Sequence, residues 1–189
     1  EKIYDCEKLK EAFIYCNDAN YNYEIKDIEK AVMGDPTETA LVKAFYKDSK
    51  ELQKFVEKSK RVYEISFDST RKMMTVIMNE NGKETCYMKG APENGKVKPL
   101  TYQKKKQIYS YIEAMSNRAL RCIAAAYKEE NLVKNESVEC DLIFLGVAGS
   151  MDPPRIEVKD AVLKCKMAGI KPIMITGDHK NTALAIAKS

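Results

Sequence analysis

An alternating pattern in the middle of the chain constrains the fold more strongly than any other feature. Residues 63–67 place apolar and polar side chains in turn, as in a half-buried strand. Residues 72–78 and 83–88 have the composition of two further strands, and the Asn81-Gly82 pair between them is a strong hairpin signal. The pattern therefore predicts an antiparallel sheet.

Helices are predicted on both sides of these strands. Asp35 is placed to cap a helix that begins at Pro36 and continues towards Asp48, and Glu38 stands where a capping box has an acid. Apolar residues at helical or alternating spacing predict the remaining elements, which are helices over 6–16, 52–55 and 102–117 and strands over 120–127 and 141–147.

The pattern changes near the C-terminus, after a rigid break at residues 152–155. The elements predicted beyond the break are a helix over 156–167, an apolar strand over 170–175 and a helix over 181–188. A tight loop, residues 176–178, joins the last two. We therefore expect an α+β domain over residues 1–147, with an antiparallel sheet flanked by helices, and a partial α/β segment over 148–189.

The composition excludes several classes of protein. The values of 32% charged and 44% hydrophobic residues are ordinary for a soluble globular domain. The net charge of +4 is too small to indicate nucleic acid. No apolar run approaches the ~18 residues that span a bilayer. The chain lacks an initial Met, and we interpret it as a monomeric piece of a larger protein.

The cysteine and histidine residues do not indicate a metal site. None of the six cysteines forms a Cys-x-x-Cys pair, and the single histidine, His179, is far from most of them. The irregular spacing is typical of reduced thiols in the cytosol. No metal ligands are therefore assigned.

Two residues in the first half of the chain, Glu38 and Phe67, are suited to binding an adenine ring. Phe67, at a strand end, can offer an aromatic face, and Glu38 can accept a hydrogen bond from the adenine amino group. Each also has a simpler interpretation, since an isolated Phe is more often a core residue and an acid at this helix position is a cap. The chain has no glycine-rich Walker loop.

Cations and flexible backbone suited to a triphosphate occur nearby. Lys72, Lys89 and Arg121 can contact phosphates at different depths, and Gly90 allows a close approach to the backbone. In residues 176–178, backbone N–H groups and a hydroxyl can hold a phosphoryl group. Taken singly, these lysines and this arginine are more often surface charges.

The segments in combination resemble the cytosolic loop of P-type ATPases, closest to the bacterial calcium-transporting group of type II pumps. The matching segments are 34–41, 67–74, 88–93, 151–155 and 174–178, and residues 16–19 and 120–124 are also similar. The resemblance covers nearly the whole chain. It implies a nucleotide-binding (N) domain at 1–147 and part of a haloacid-dehalogenase-like phosphorylation (P) domain at 148–189.

The resemblance also implies residue roles. Phe67 stacks on adenine, Glu38 contacts its edge, and Lys89, followed by Gly90, lies deep beside the ring. Lys72 and Arg121 face the phosphates. Thr176, Gly177 and Asp178 lie where the γ-phosphate is transferred, and Asp152 and Arg155 lie near the hinge between domains.

The implied partners are those of an intact pump at the cytoplasmic face of a membrane. They are ATP, Mg²⁺, the actuator domain, the rest of the P domain and the transmembrane helices. The phosphorylated Asp and its Asp-Lys-Thr-Gly-Thr segment are absent from this sequence, so the chain alone should bind nucleotide and turn over almost none.

Two departures from the family pattern matter. Ser69 stands where animal sarcoplasmic pumps carry an extra Arg, which puts one phosphate contact in doubt. The stretch between Glu93 and Gly95 is shorter than in the family, and we expect that residues are missing there. Two alternatives stay open. One is a non-catalytic module whose Lys104–Lys106 face docks a partner or anionic lipid, and the other is a soluble haloacid-dehalogenase-like phosphatase.

Overall fold

A five-stranded antiparallel sheet organises the chain, for which a computed structural model describes residues 6–92, 97–118, 120–151, 156–175, 183–184 and 186–187. Its strands are β3 (Lys60–Asp68), β4 (Met73–Glu80), β5 (Lys83–Gly90), β6 (Arg121–Lys128) and β7 (Ile143–Ser150). They lie side by side in chain order, β3-β4-β5-β6-β7. A separate two-stranded sheet pairs β1 (Asn20–Tyr21) with β2 (Val32–Met33).

Helices flank the five-stranded sheet, as the sequence predicts. The helices of the described ranges are α1 (Cys6–Tyr15), α2 (Ile28–Ala31), α3 (Pro36–Phe45), α4 (Ser49–Val56), α5 (Tyr102–Ser116) and α6 (Ile156–Met167). Those that pack against the five-stranded sheet are α1, α3, α4 and α5. A short 3-10 helix, Glu136–Glu139, lies in the β6–β7 connection. None of the helices in the described ranges has both the length and the apolar character that a membrane crossing needs.

The predicted β4–β5 hairpin is confirmed. Glu80 pairs with Lys83 across a two-residue turn whose members have φ angles of 52° (Asn81) and 88° (Gly82). Positive φ at both central positions matches the twist of the flanking strands and favours Asn-Gly. The Asn79 side chain accepts a hydrogen bond from the Gly82 N–H at 3.0 Å, which closes the turn further.

The larger core lies on one side of the sheet, which we call the α1 face. Its strand residues include Met74, Val76 and Tyr87, and α1 packs across them with Phe13 fully buried. Helices α3 and α4 contribute apolar side chains to the same cluster, Leu52 among them. The last four residues of α1, Ala12 to Tyr15, are all buried because this part of the helix lies between the sheet and these helices.

A smaller core covers the other side of the sheet, which we call the β6–β7 connection face. It joins Ile77 and Met88 of the sheet to Val138 and Leu142 of the connection between β6 and β7. Val138 and Leu142 are both fully buried. The connection, residues 129–142, is therefore anchored to the sheet although it has little regular structure of its own.

The predicted strand over 170–175 is wrong. These residues are irregular, and their apolar side chains are exposed, with Ile173 at 78% and Ile175 at 93%. A strand of a parallel sheet takes its hydrogen bonds and burial from strands on both sides, and no described strand of this chain pairs with this segment. The described residues at 183–184 and 186–187 are helical, within the helix predicted over 181–188.

Two other elements differ in extent from the prediction. Strand β7 begins at Ile143 and ends at Ser150, two and three residues later than the ends of the strand predicted over 141–147. Helix α5 has no buried residue, and the predicted burial of Ile108, Ile112 and Met115 is only partial. The helix lies at the edge of the fold rather than across it.

Candidate functional site

Most predicted site residues that the structure describes gather at one end of the sheet, which we call the Gly90 end. There β3 ends at Asp68, β4 begins at Met73, β5 ends at Gly90 and β6 begins at Arg121. Antiparallel pairing brings these termini together because every second strand runs in the opposite direction. Residues far apart in sequence therefore share one edge.

Strand register places Lys89 on the α1 face. Lys89 pairs with Met74 on one side and Ala125 on the other, and both neighbours are fully buried in the larger core. Lys89 itself is 7% exposed. A buried ammonium needs a charged or strongly polar partner, because leaving water costs it several kcal/mol.

Glu38 supplies that partner. Its Oε1 accepts a hydrogen bond from Lys89 Nζ, and its Oε2 accepts one from the Asp18 N–H at 3.0 Å. Asp35 caps α3 through the N–H groups of Thr37 and Glu38, as predicted. The Glu38 side chain turns towards Lys89, so the acid at this helix position forms an ion pair with the sheet.

The turn after α1, whose Asp18 N–H donates to Glu38, is held in place by further hydrogen bonds. Asn17 donates from Nδ2 to the Glu38 carbonyl at 3.0 Å and accepts from the Ala19 N–H at 2.9 Å. Arg61, on β3, donates to the Asn17 carbonyl and to the Asp18 carboxylate. These bonds fix the turn after α1 against the sheet.

Ionisation of the groups around this turn follows from their surroundings. Burial alone lowers the pKa of Arg61, but its hydrogen bonds to Asp18 and Glu64 outweigh burial and leave the pKa above its ordinary value. Burial raises the pKa of the Cys16 thiol to about 12, while the positive charge of Lys89 acts in the opposite direction. Cys16 is therefore a protonated core thiol at neutral pH, and it is not a nucleophile.

A β-bulge brings Phe67 to the same side as Lys89. Ile65 pairs with Thr75 and Asp68 with Met73, so two residues of β3, Ser66 and Phe67, oppose Met74 alone. Both therefore turn towards the α1 face. Phe67 and Lys89 lie two strands apart, about 10 Å by the usual strand spacing.

The exposure of Phe67 excludes its interpretation as a core residue. The ring is 59% exposed, and Phe67 is not a member of either core cluster. A large aromatic side chain left in solvent at a strand end has area available for a partner. The interpretation as an ordinary core residue does not fit this position.

The atoms around Gly90 leave no room for a side chain at this position. A Cβ there would lie 2.6 Å from the Lys72 carbonyl oxygen and 2.7 Å from Met73 Cγ. Lys72 has a φ of 53° in the turn before β4, and its carbonyl accepts from the Ala91 N–H at 3.0 Å. The exposed Lys72 side chain therefore begins beside the end of β5.

Arg121 lies on the same face but farther out. In β6 it alternates with Ile123 and Ala125, both members of the larger core, so its side chain faces the α1 face. It is exposed and four residues from Ala125, about 13 Å along the strand. It lies farther along the sheet from Lys89 than Lys72 does, because Lys72 is only two residues from Met74, the partner of Lys89.

Several predicted residues lie outside the described part of the chain. These are Thr176, Gly177 and Asp178, the hinge residues Asp152 and Arg155, and the shortened stretch at 93–96. Within the described ranges, no group of three acidic, histidine or cysteine side chains is arranged to hold a metal ion.

The sequence did not predict the two arginines, Arg61 and Arg71, whose hydrogen bonds hold the site residues in place. Arg61 carried no motif signal, although the neighbouring Asn17-Asp18 turn belongs to a segment similar to the family. Arg71 lies inside the 67–74 segment, but its contact with Glu139 joins residues 68 positions apart. Only the fold brings such pairs together.

Comparison with known proteins identifies a family and several related sequences. The family described as "P-type ATPase, cytoplasmic domain N" matches residues 5–157. "Calcium-transporting ATPase 1" of Bacillus cereus is 42% identical over 196 residues, which cover 95% of this chain and 21% of that protein. "Calcium-transporting ATPase" of Bacillus subtilis is 43% identical, covering 92% of this chain and 21% of that protein.

A relative with a broader name has a similar match. "Probable cation-transporting P-type ATPase" of Mycoplasma genitalium is 40% identical, covering 95% of this chain and 20% of that protein. The chain thus spans about a fifth of the length of these curated relatives. With the family match over residues 5–157 and the helix-flanked antiparallel sheet, the chain belongs to the P-type ATPase family and contains its cytoplasmic N domain.

Proposed function

We propose that this chain binds ATP on the α1 face at the Gly90 end of the sheet. One observation carries the proposal, namely that the register of the β3 bulge places the exposed Phe67 on the face of the sheet that holds the buried Lys89–Glu38 pair. An aromatic surface beside fixed polar groups can bind a purine by stacking and by hydrogen bonds to its edge. The bulge at residues 66 and 67 makes this juxtaposition possible.

The proposed roles follow the geometry. Phe67 stacks on adenine, and Lys89 lies beside the ring. Glu38 keeps acceptor capacity for the adenine edge, because a carboxylate offers about four lone-pair sites and two are used by Lys89 and Asp18. Exposed Lys72 and Arg121 contact the phosphates, since cations outside the pocket suit a polyanion that extends from a buried base.

For the whole protein we propose cation transport driven by ATP, with Ca²⁺ as the ion. Support comes from the names of the similar proteins, several of which are calcium-transporting ATPases. In that protein the N domain would deliver ATP to an aspartate of the P domain, whose loop would include Thr176, Gly177 and Asp178. Mg²⁺ would accompany the nucleotide, and the actuator domain and membrane helices would complete the pump.

Replacing Phe67 by Ala tests the proposed site. We expect ATP binding to weaken by roughly 1–3 kcal/mol, the range found when an aromatic side chain stacked on a base is removed. The free energy of unfolding should change by no more than ~0.5 kcal/mol, because the ring is largely exposed. Isothermal titration calorimetry measures the first quantity, and urea denaturation the second.

Tyr109→Ala is the matched control. Tyr109 is 61% exposed on α5, close to the 59% of Phe67, and it belongs to no predicted site. It should leave ATP affinity unchanged. The proposal fails if wild-type protein does not bind ATP, or if the two variants lose affinity to the same extent.

A further inference from the structure

The turn between β3 and β4 presents two proposed nucleotide contacts. Phe67 lies just before it and Lys72 within it. Asp68 Oδ1 accepts hydrogen bonds from the N–H groups of Thr70 and Arg71, at 3.0 and 2.7 Å. These local bonds shape the turn, and the Ala91 N–H ties its last residue, Lys72, to the end of β5. Neither set of bonds attaches the β3 end of the turn, next to Phe67, to the rest of the domain.

Arg71 makes that attachment. Its Nη2 donates to the Ser66 carbonyl at 2.8 Å, and its Nη1 donates to Glu139 Oε1 at 2.5 Å. Ser66 belongs to the bulge, where the pairing of β3 with β4 is irregular. A bulge leaves backbone groups outside the ladder, and the guanidinium holds the peptide directly before Phe67.

Glu139 is the fixed end of this attachment. It is fully buried, and Thr75 Oγ1 donates to the same Oε1 at 2.8 Å. Its Oε2 is buried with no hydrogen-bond partner among the described residues. A buried carboxylate with an unsatisfied oxygen needs a cation beside it, so breaking the ion pair between Arg71 and Glu139 is costly.

The segment that carries Glu139 is firmly anchored. Val138 and Leu142 on either side are fully buried in the smaller core. The Leu142 carbonyl also accepts from the Lys98 N–H at 2.7 Å. A site held by side chains whose own positions are fixed from behind is preorganised for its ligand.

We propose that Arg71 and Glu139 are positioning residues, which act from the β6–β7 connection face to hold the β3–β4 turn in the conformation that presents Phe67 and Lys72 to the nucleotide. Neither side chain touches the ligand. The inference rests on the proposed ATP site, because it concerns how that site is ordered. On this proposal, nucleotide affinity depends on the Arg71–Glu139 contact, which lies on the opposite face of the sheet from the proposed ATP site.

The test compares Arg71→Gln, Glu139→Gln and the double variant. Each single variant should raise the Kd for ATP about tenfold, as expected when a supporting contact is lost. The double variant should be no worse than either single one, because both changes break the same contact. Arg71→Lys, which keeps the charge but not the two-pronged geometry, should restore part of the affinity.

Lys134→Ala is the matched control. Lys134 lies in the same connection and makes an exposed ion pair with Glu84 at 3.4 Å, far in sequence from the β3–β4 turn. Its loss should not change the Kd. All affinities are measured well below each variant's melting temperature, so that only folded protein is compared.

Hydrogen exchange in the absence of nucleotide supplies an independent readout. Arg71→Gln should speed exchange of the Arg71 and Lys72 amides, relative to wild type, and leave Gly82 in the β4–β5 hairpin unchanged. Variants that melt earlier but bind ATP with wild-type affinity would overturn the inference and leave the proposed function intact. Wild-type protein that does not bind ATP would overturn both, and unchanged exchange at the turn would overturn the inference alone.

Discussion

Replacing Lys89 by Met should lower the free energy of unfolding by about 3 kcal/mol. The Lys89 and Glu38 side chains are only 9% and 16% exposed, so the change leaves a largely buried carboxylate without its cation. We expect a value at the low end of the range for broken buried pairs, because Glu38 keeps its hydrogen bond from the Asp18 N–H. Urea denaturation measures the change.

Glu38→Gln combined with Lys89→Met separates charge from packing. If the loss comes from the unpaired carboxylate, neutralising it should recover more than half of the lost stability. Both variants should bind ATP more weakly than wild type, since both lack the ammonium beside the proposed adenine position. Full stability of Lys89→Met alone would show that the pair is not buried as described.

Replacing Gly90 by Ala should lower the free energy of unfolding by about 2–3 kcal/mol, and ATP affinity with it. The new methyl group would lie 2.6 Å from the Lys72 carbonyl oxygen, a backbone atom that cannot move without shifting the start of β4. That shift displaces Lys72 and loosens the β3–β4 turn. Thermal denaturation and calorimetry with ATP measure the two effects.

Gly149→Ala is the control for this substitution. The three atoms nearest to a Cβ at Gly149, on β7 of the same sheet, would be side-chain atoms of Leu120 and Met115, at 3.1 Å. These side chains can rearrange, so the loss should be below ~1 kcal/mol. An equal loss in both variants would contradict a special requirement for glycine at position 90.

Local sequence patterns predicted the sheet well, because they report local physics. Alternation in residues 63–67 and the Asn81-Gly82 pair specify a strand and a hairpin without reference to distant residues. The Asp35-Pro36 start of α3 was predictable for the same reason. The strand predicted at 170–175 failed because an apolar run becomes a strand only beside a pairing partner.

The sequence predicted which residues belong to the candidate site, but it did not predict how their side chains are arranged. Residues such as Phe67, Lys89 and Glu38 could be named from segments that resemble a family. The bulge that turns Phe67 to the α1 face and the pairing of Glu38 with Lys89 depend on register and helix packing. No local pattern encodes the contact between Arg71 and Glu139, since its two residues come from separate strand connections.

An NMR titration with ATP tests the central claim most directly. We expect the largest amide shift changes at Phe67, Lys89 and Gly90, with smaller ones at Arg121. The β4–β5 hairpin at Gly82, at the opposite end of the sheet, should not respond. No response at millimolar ATP, or changes confined to residues away from the Gly90 end, would contradict the claim that ATP binds there.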